Sequence, residues 1–466
     1  MGPGGESRNE HLREQRLGNT TRVIIVGSGP AGIFAALTLK NAGFQDIIVL
    51  EQGEDIEERR RETGRDILCG WGGAGAFSDG KLTLSPEIGG FLGEFLPRDK
   101  LQGLLMEADR TYLHYGAPSR TYGGMSASTE TLIHAAKLVG MEFIPTEIRH
   151  VGTENWAGIL KRIREDLKES VHVRTKTRVQ HIWSEKRKSR GVILEGGERL
   201  AADHIVVAPG RSGAEWLKQE MKRLGLSSSP NPVDIGVRVE APAAILKPLT
   251  DVAYESKLIY YAKTFDDKIR TFCMNPYGEV VTEESNGITT VNGHSYAHKR
   301  SENTNFALLV SSTFTEPFDD PIGYGRIIAQ LANLLGKGVI IQRLGDLMEG
   351  RRSTAGRIAR CITRPTLPSA TPGDLSFVLP YRYLRDIMEM LEALDGVAPG
   401  IFSRHTLLYG VEVKFYSNRI KLSSVLESQI ANLFFVGDGA GITRGLLQAS
   451  VSGMIAAREV LKRVQA

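Results

Sequence analysis

The stretch RVIIVGSGPAGIFAALTLKNAGFQDIIVLE, from Arg22 to Glu51, decides the fold. An apolar strand, a glycine turn, an Ala/Leu-rich helix and a second apolar strand follow one another, which is a βαβ unit. Gly27 allows the tight turn, Gly29 lets backbone amides approach a pyrophosphate, and Gly32 permits close packing of the helix on the sheet. Pro30 and Ala31 begin that helix, and a phosphate sits on its N-terminus. Glu51 closes the second strand, where a carboxylate accepts hydrogen bonds from a ribose diol. A 2′-phosphate would be repelled there, so NADP is disfavoured. This unit by itself does not separate FAD from NAD.

Near the C-terminus, NLFFVGDGAGITRGLLQASVSGMIAAREVLKRV repeats strand, glycine turn and helix around Gly437 and Asp438. In an FAD fold split along a chain, such a strand returns to the first sheet. Asp438 can then bond the ribityl and pyrophosphate region. The helix that begins at Gly445, Leu446 and Leu447 can turn its positive end, on the order of half a charge, toward the flavin pyrimidine edge. An NAD domain needs no such distant partner, so pairing Gly27 with Asp438 favours FAD.

Between these pieces, VHVRTKTRVQHI, GVILEGG and LAADHIVVAPGRSG alternate as strands and end at Ala208, Pro209 and Gly210. They resemble the β-meander and crossover of glutathione-reductase-type flavoproteins, with Pro209 where Thr is commoner. That resemblance places Val179 beside the adenine. With GWGGAGAFSDGKLT (70–83), VDIGVRVE (233–240), RTFCMNPYGEVV (270–281), LLYGVEVKFYS (407–417) and GDGAGITRGLLQA (437–449), the chain resembles the FAD-dependent dehydrogenases of the two-dinucleotide-binding-domain flavoproteins. The resemblance implies the fold, FAD and redox chemistry, and no particular substrate. Where that family often has a second Cys, two residues past the one matching Cys273, this chain has Asn275. Where it often has Met after Asn-Gly, it has His294.

The run Gly72, Gly73, Ala74, Gly75, Ala76, Phe77, Ser78 suits a loop laid along an isoalloxazine, because large side chains would block close approach. Lys81 is a candidate to bond flavin N5 or a substrate anion. His294, with His298 four residues on, is a candidate base, since imidazole exchanges protons near neutral pH. Arg351 and Arg352 are candidates to clamp a carboxylate or phosphate. Cys69 reads as a packing residue rather than a flavin tether. Arg238 and Glu240 share one face of a strand and read as members of an internal ion pair.

A chain of 466 residues exceeds one core. Its 41% hydrophobic and 24% charged content is that of a globular protein, and 51 glycines are more than average usage provides. The 58 basic and 54 acidic residues form no basic stripe, so no nucleic-acid partner is expected. Cys69, Cys273 and Cys361 have neither redox-dithiol nor zinc spacing, and no metal is expected. The first residues lack a signal-like apolar region and no membrane-length apolar run follows, so a cytoplasmic protein without a membrane partner is expected.

The expected fold class is α/β: a discontinuous FAD-binding Rossmann-like domain with an inserted α+β substrate domain. The expected boundaries are a flexible tail at 1–21, FAD-binding parts at 22–95, 149–218 and 420–466, a helical insertion at 96–148 and a substrate domain at 219–419. The expected function is an FAD-dependent oxidoreductase passing a hydride between a small substrate, or NAD(P)H as a transient reductant, and flavin N5. A monooxygenase, an FAD-containing RNA-modifying enzyme and a flavin-binding redox sensor are the alternatives. A permanent NAD(P) domain is not expected, because no second strand, GxGxxG and helix unit follows.

Overall fold

The computed structural model describes residues 21–59, 68–78, 80–229, 231–285, 287–296, 299–314, 316–318, 320–414 and 419–465. The expected tail, apart from Thr21, lies outside the described residues, as do Asp79 and His298.

Five parallel strands form the first sheet, in spatial order His172–Arg174, Asp46–Leu50, Arg22–Val26, His204–Val207 and Leu433–Phe435. Numbered along the chain, that order is 3-2-1-4-5, the doubly wound arrangement in which ligands bind beyond the carboxyl ends of the strands. Residues 23–26 are buried, as expected of a central strand covered on both faces. Helix Pro30–Asn41 covers one face, and helix Leu446–Gln465 packs on it so tightly that a Cβ on Gly453 would lie 2.0 Å from the Ala31 carbonyl oxygen. An antiparallel meander of Val179–Glu185, Lys188–Leu194 and Arg199–Ala201 stands beside this sheet.

The second sheet is mixed and has eight strands. Its order is Thr371–Pro372, Ile340–Arg343, Leu407–Lys414, Val233–Pro242, Asn303–Ser312, Lys268–Asn275, Lys257–Tyr261 and Met141–Ile144. Alternation along Val233–Pro242 divides its faces. Val233, Ile235, Val237, Val239 and Ala241 join an apolar layer with helix Tyr381–Asp395, whereas Asp234, Arg238 and Glu240 point the other way. The hairpin Glu279–Ser285/Ile288–His294 packs near that second face.

The segment read as a helical insertion, 96–148, carries helices Arg98–His114 and Ala127–Leu138, the latter capped by Ser126 accepting from the Thr129 amide. It is not wholly helical. Met141–Ile144 forms the edge strand of the second sheet, a long-range pairing that local periodicity does not reveal. Helix Arg98–His114 returns to the first domain, where Tyr112 and Ser450 share a buried 2.9 Å hydrogen bond.

Candidate functional site: a glycine cradle facing a polar sheet

The turn after the first strand is built from backbone contacts that exclude side chains. Gly27 has φ +99°, and a Cβ there would lie 2.1 Å from the Ala208 carbonyl oxygen. The Ala208 amide donates to the Val26 carbonyl at 2.7 Å, so the Ala208–Gly210 crossover lies against this turn. On its other side, a Cβ on Gly439 would strike Pro209 and Gly210. Gly29 caps helix Pro30–Asn41 without a side-chain hydrogen bond, so amides of the first turn have no intrahelical partner and face outward. The cradle thus joins residues more than 400 positions apart.

The glycine-rich loop lies between the starts of helices Pro30–Asn41 and Leu446–Gln465. Gly73–Phe77 forms a 3-10 turn between the two helix starts. A Cβ on Gly73 would come within 3.0 Å of the Gly29 Cα, and one on Gly75 within 2.9 Å of Leu446. Gly72 has φ +86°, Ser78 Oγ donates to the Gly75 carbonyl, and Phe77 lies under the Arg59 guanidinium. Ala74 belongs to the same turn. Gly445 faces Gly89 and starts helix Leu446–Gln465, whose Leu447 is buried. Gln448, a residue not singled out by sequence, ties this helix to the preceding loop by donating to the Pro86 and Ile88 carbonyls.

Glu51 has a different set of partners from the expected ribose. One oxygen accepts from the Ser28 amide and hydroxyl at 2.9 and 2.8 Å, and the other accepts from the Gly53 and Gly70 amides at 2.9 Å each. These four donors use the acceptor capacity of a carboxylate. Glu51 therefore holds the turn and the start of the glycine loop together, and a ribose hydroxyl could bond it only by displacing one of them. The Thr177 amide donates to the Glu51 carbonyl, which brings buried Val179 to this end of the cradle. Cys69 is at the same end, beside Gly53.

Asp438 stands just past the strand Leu433–Phe435, its carboxylate accepting from Thr443 Oγ1 at 2.7 Å. Burial raises its carboxyl above the ordinary range, against the hydrogen bond from Thr443 and the charges of Arg211 and Arg444. Arg211 follows the crossover directly and acts at a distance on Glu283 of the facing hairpin as well. Lys414 and Arg211 hold the Glu283 carboxyl below its usual range, with help from Asn292 and His294. His294, the expected base, ends that hairpin, opposite Glu279 in register, while Glu283 lies toward the turn opposite Thr290.

Lys81 is less available than its sequence position implies. Its ammonium group bonds the Met274 carbonyl at 3.0 Å and Asn275 Oδ1 at 3.3 Å, and stands 3.6 Å from Glu255. Three acceptors meet the three donors of a lysine, so Lys81 fastens the loop after the glycine run to the second sheet. Contact with flavin N5 would cost it one of them. Burial works to raise the Glu255 carboxyl, and Lys257 and Lys81 overcome this and hold it at about 2.

Arg351 and Arg352 form no clamp. Arg351 is bonded to Asp346 at 3.0 Å and paired with Glu349, within a cluster that also takes Arg343. Arg352 is exposed, and its carbonyl accepts from Arg357. Fully buried Asp346, paired with Arg343 and Arg351, and fully buried Glu412, paired with Arg238, show how such ion pairs are spent inside the domain. Arg238 does belong to an internal ion pair, with Glu412 at 2.8 Å rather than with Glu240. Glu240 instead accepts from Asn303, Thr366 and Tyr409. Both strand partners come from distant sequence, which is why spacing alone misassigned them.

Residues 22–58 match an FAD binding domain. Residues 232–415 match the model described as the C-terminal domain-like part of FAD-dependent proteins. The chain thus combines an FAD-binding domain with a second domain of a kind found in FAD-dependent proteins. A protein of Clostridium beijerinckii, described as uncharacterised, is 28% identical over 480 residues, covering 95% of this chain and 81% of its own. Among solved structures, pyridoxine 4-oxidase from Mesorbium loti overlaps 95% of this chain and 99% of its own, at 14% identity and TM-score 0.41. Glycine oxidase from Geobacillus kaustophilus covers 95% of each chain, at 14% identity and TM-score 0.39. Among the described residues no helix is long and apolar enough to cross a membrane.

Proposed function

We propose that this protein is an FAD-dependent oxidoreductase of the dehydrogenase or reductase type, passing a hydride between a small organic substrate, or NAD(P)H, and the flavin. The observation that carries this reading is the meeting of three separate chain segments, at Gly27, Pro209 and Gly437, around an uncapped helix start. A plain NAD-binding unit needs only the first. The residues fit FAD in kind: the amides of Gly29, Ala31 and Gly32 for the pyrophosphate, Asp438 for the ribityl chain, and the helix start at Gly445 to Leu447 for the pyrimidine edge. Gly72 to Ser78 would lie along the ring system.

Bound FAD supplies the two-electron acceptor that the protein's own side chains lack. The chain's part is to bind, orient and handle the proton. Lys81 positions the second sheet against the cradle. His294, at the open end of the hairpin, takes or returns the substrate proton. Reduced nicotinamide, having no domain of its own here, would visit the same space between cradle and sheet.

The test is rapid mixing of the purified yellow protein with NADH and with NADPH, with and without oxygen, following flavin absorbance. Bleaching by either donor supports a reductase. A protein that purifies without flavin and whose apo form does not take up FAD would refute the reading.

A further inference from the structure

The face of the second sheet that receives Lys81 also carries Phe272, whose ring is approached by three cations. Lys257 Nζ lies 4.8 Å, Arg270 Cζ 4.7 Å and Lys414 Nζ 6.0 Å from its centroid. Their side chains are only 12%, 19% and 13% exposed. Such convergence of charge is costly out of water unless something negative answers it. Acids do answer, but they are shared. Glu255 serves both Lys257 and Lys81, Glu412 serves both Lys414 and Arg238, Glu283 stands 3.8 Å from Lys414 and Asp234 holds Arg270, so four acids face five cations. Phe272 and Cys273 remain within reach of solvent although their strand is an inner one, sixth of the eight.

We infer that this place binds an organic carboxylate, its carbon skeleton against Phe272 and its anionic end among Lys257, Arg270 and Lys414. Lys257 can turn toward a ligand without stranding Glu255, which Lys81 keeps paired, and Lys414 can turn while Arg238 keeps Glu412 and Arg211 still acts on Glu283. Arg270 is the fixed member, held by fully buried Asp234. Lys81, fastened to Asn275 on the same face, joins this place to the glycine cradle. The substrate class of the proposed oxidoreductase is therefore a small carboxylic acid with a flat, apolar body. This rests on the proposed FAD chemistry for the reaction, but not for the binding.

The probe is benzoate, with benzamide and chloride as controls, titrated calorimetrically into the holoprotein and into flavin-free protein, while flavin absorbance is followed in the holoprotein. Benzoate should bind both forms and benzamide neither, and it should perturb the flavin spectrum. Lys257→Gln and Lys414→Gln should each weaken benzoate roughly tenfold or more, the scale of a lost charge-assisted contact, with far-UV circular dichroism unchanged. Equal binding of benzamide, equal competition by chloride, or unchanged affinity in both variants would overturn the inference. So would absence of benzoate binding to the wild-type protein. Absence of flavin with benzoate binding intact would sink the proposed FAD chemistry and leave the carboxylate site standing.

Discussion

Replacing Glu51 with glutamine exchanges one carboxylate oxygen for an NH2 group at a place where the fold supplies three backbone N–H donors and one hydroxyl. Whichever way the amide turns, its nitrogen faces either the Ser28 amide and hydroxyl or the Gly53 and Gly70 amides. Turned toward the glycines the nitrogen loses two charge-assisted bonds, but turned toward Ser28, whose hydroxyl can rotate to accept, it loses one, so the expected cost is about 1.5 to 3 kcal/mol. Glu51 is 4% exposed, and water cannot readily replace them. Against a whole-domain stability of about 5 to 15 kcal/mol, that is large. At roughly 2 to 4 °C per kcal/mol for a domain of this size, melting should fall by about 3 to 12 °C. The assay is thermal unfolding of the flavin-free protein by circular dichroism. If Glu51 acted on the ribose alone, the flavin-free variant would melt with the wild type and only FAD affinity would drop. That result would refute its role as the clasp of the turn.

Asp438→Ala should weaken FAD by roughly ten- to a hundredfold in a fluorescence titration of the apoprotein, from loss of a contact of about 1.5 to 3 kcal/mol. Unchanged affinity would remove it from the proposed site. Gly453→Leu should abolish soluble folded protein or sharply lower its melting temperature, since even a Cβ there meets the Ala31 carbonyl; a normal melt would show that the helices can part cheaply. Burial, with Asp267 beside it, raises the Asp386 carboxyl to about 7. A carboxyl raised in the folded state stabilises fully below its unfolded value and loses that contribution as pH rises through about 7. Asp386→Asn should therefore be the more stable protein relative to wild type at about pH 8 than at about pH 5, and a pH-independent difference in unfolding free energy would count against this. The flavin should be released by acid, since Cys69 lies at the Glu51 end of the loop; a flavin-protein mass after denaturation would show a tether instead.

What the sequence by itself determined is the cradle, because each of its parts is a local pattern. Gly27, Gly29 and Gly32 are spaced by the geometry of one strand, turn and helix, and the run at Gly437 repeats that geometry. The α/β class, with a Rossmann-like domain and an inserted domain of a second kind, follows from such patterns, whereas the count of five parallel strands came from the structure. What only the tertiary structure decided are the partners of charged side chains. Glu51 meets Gly70 through a loop, Arg238 meets Glu412 across 174 positions, and Lys81 meets Asn275 across 194. A charge is satisfied by whatever the fold brings within a few ångströms, and no spacing along the chain records that distance. The same reason hid Phe272 and its three cations, which sit on strands from separate parts of the chain and become one place only when the sheet forms.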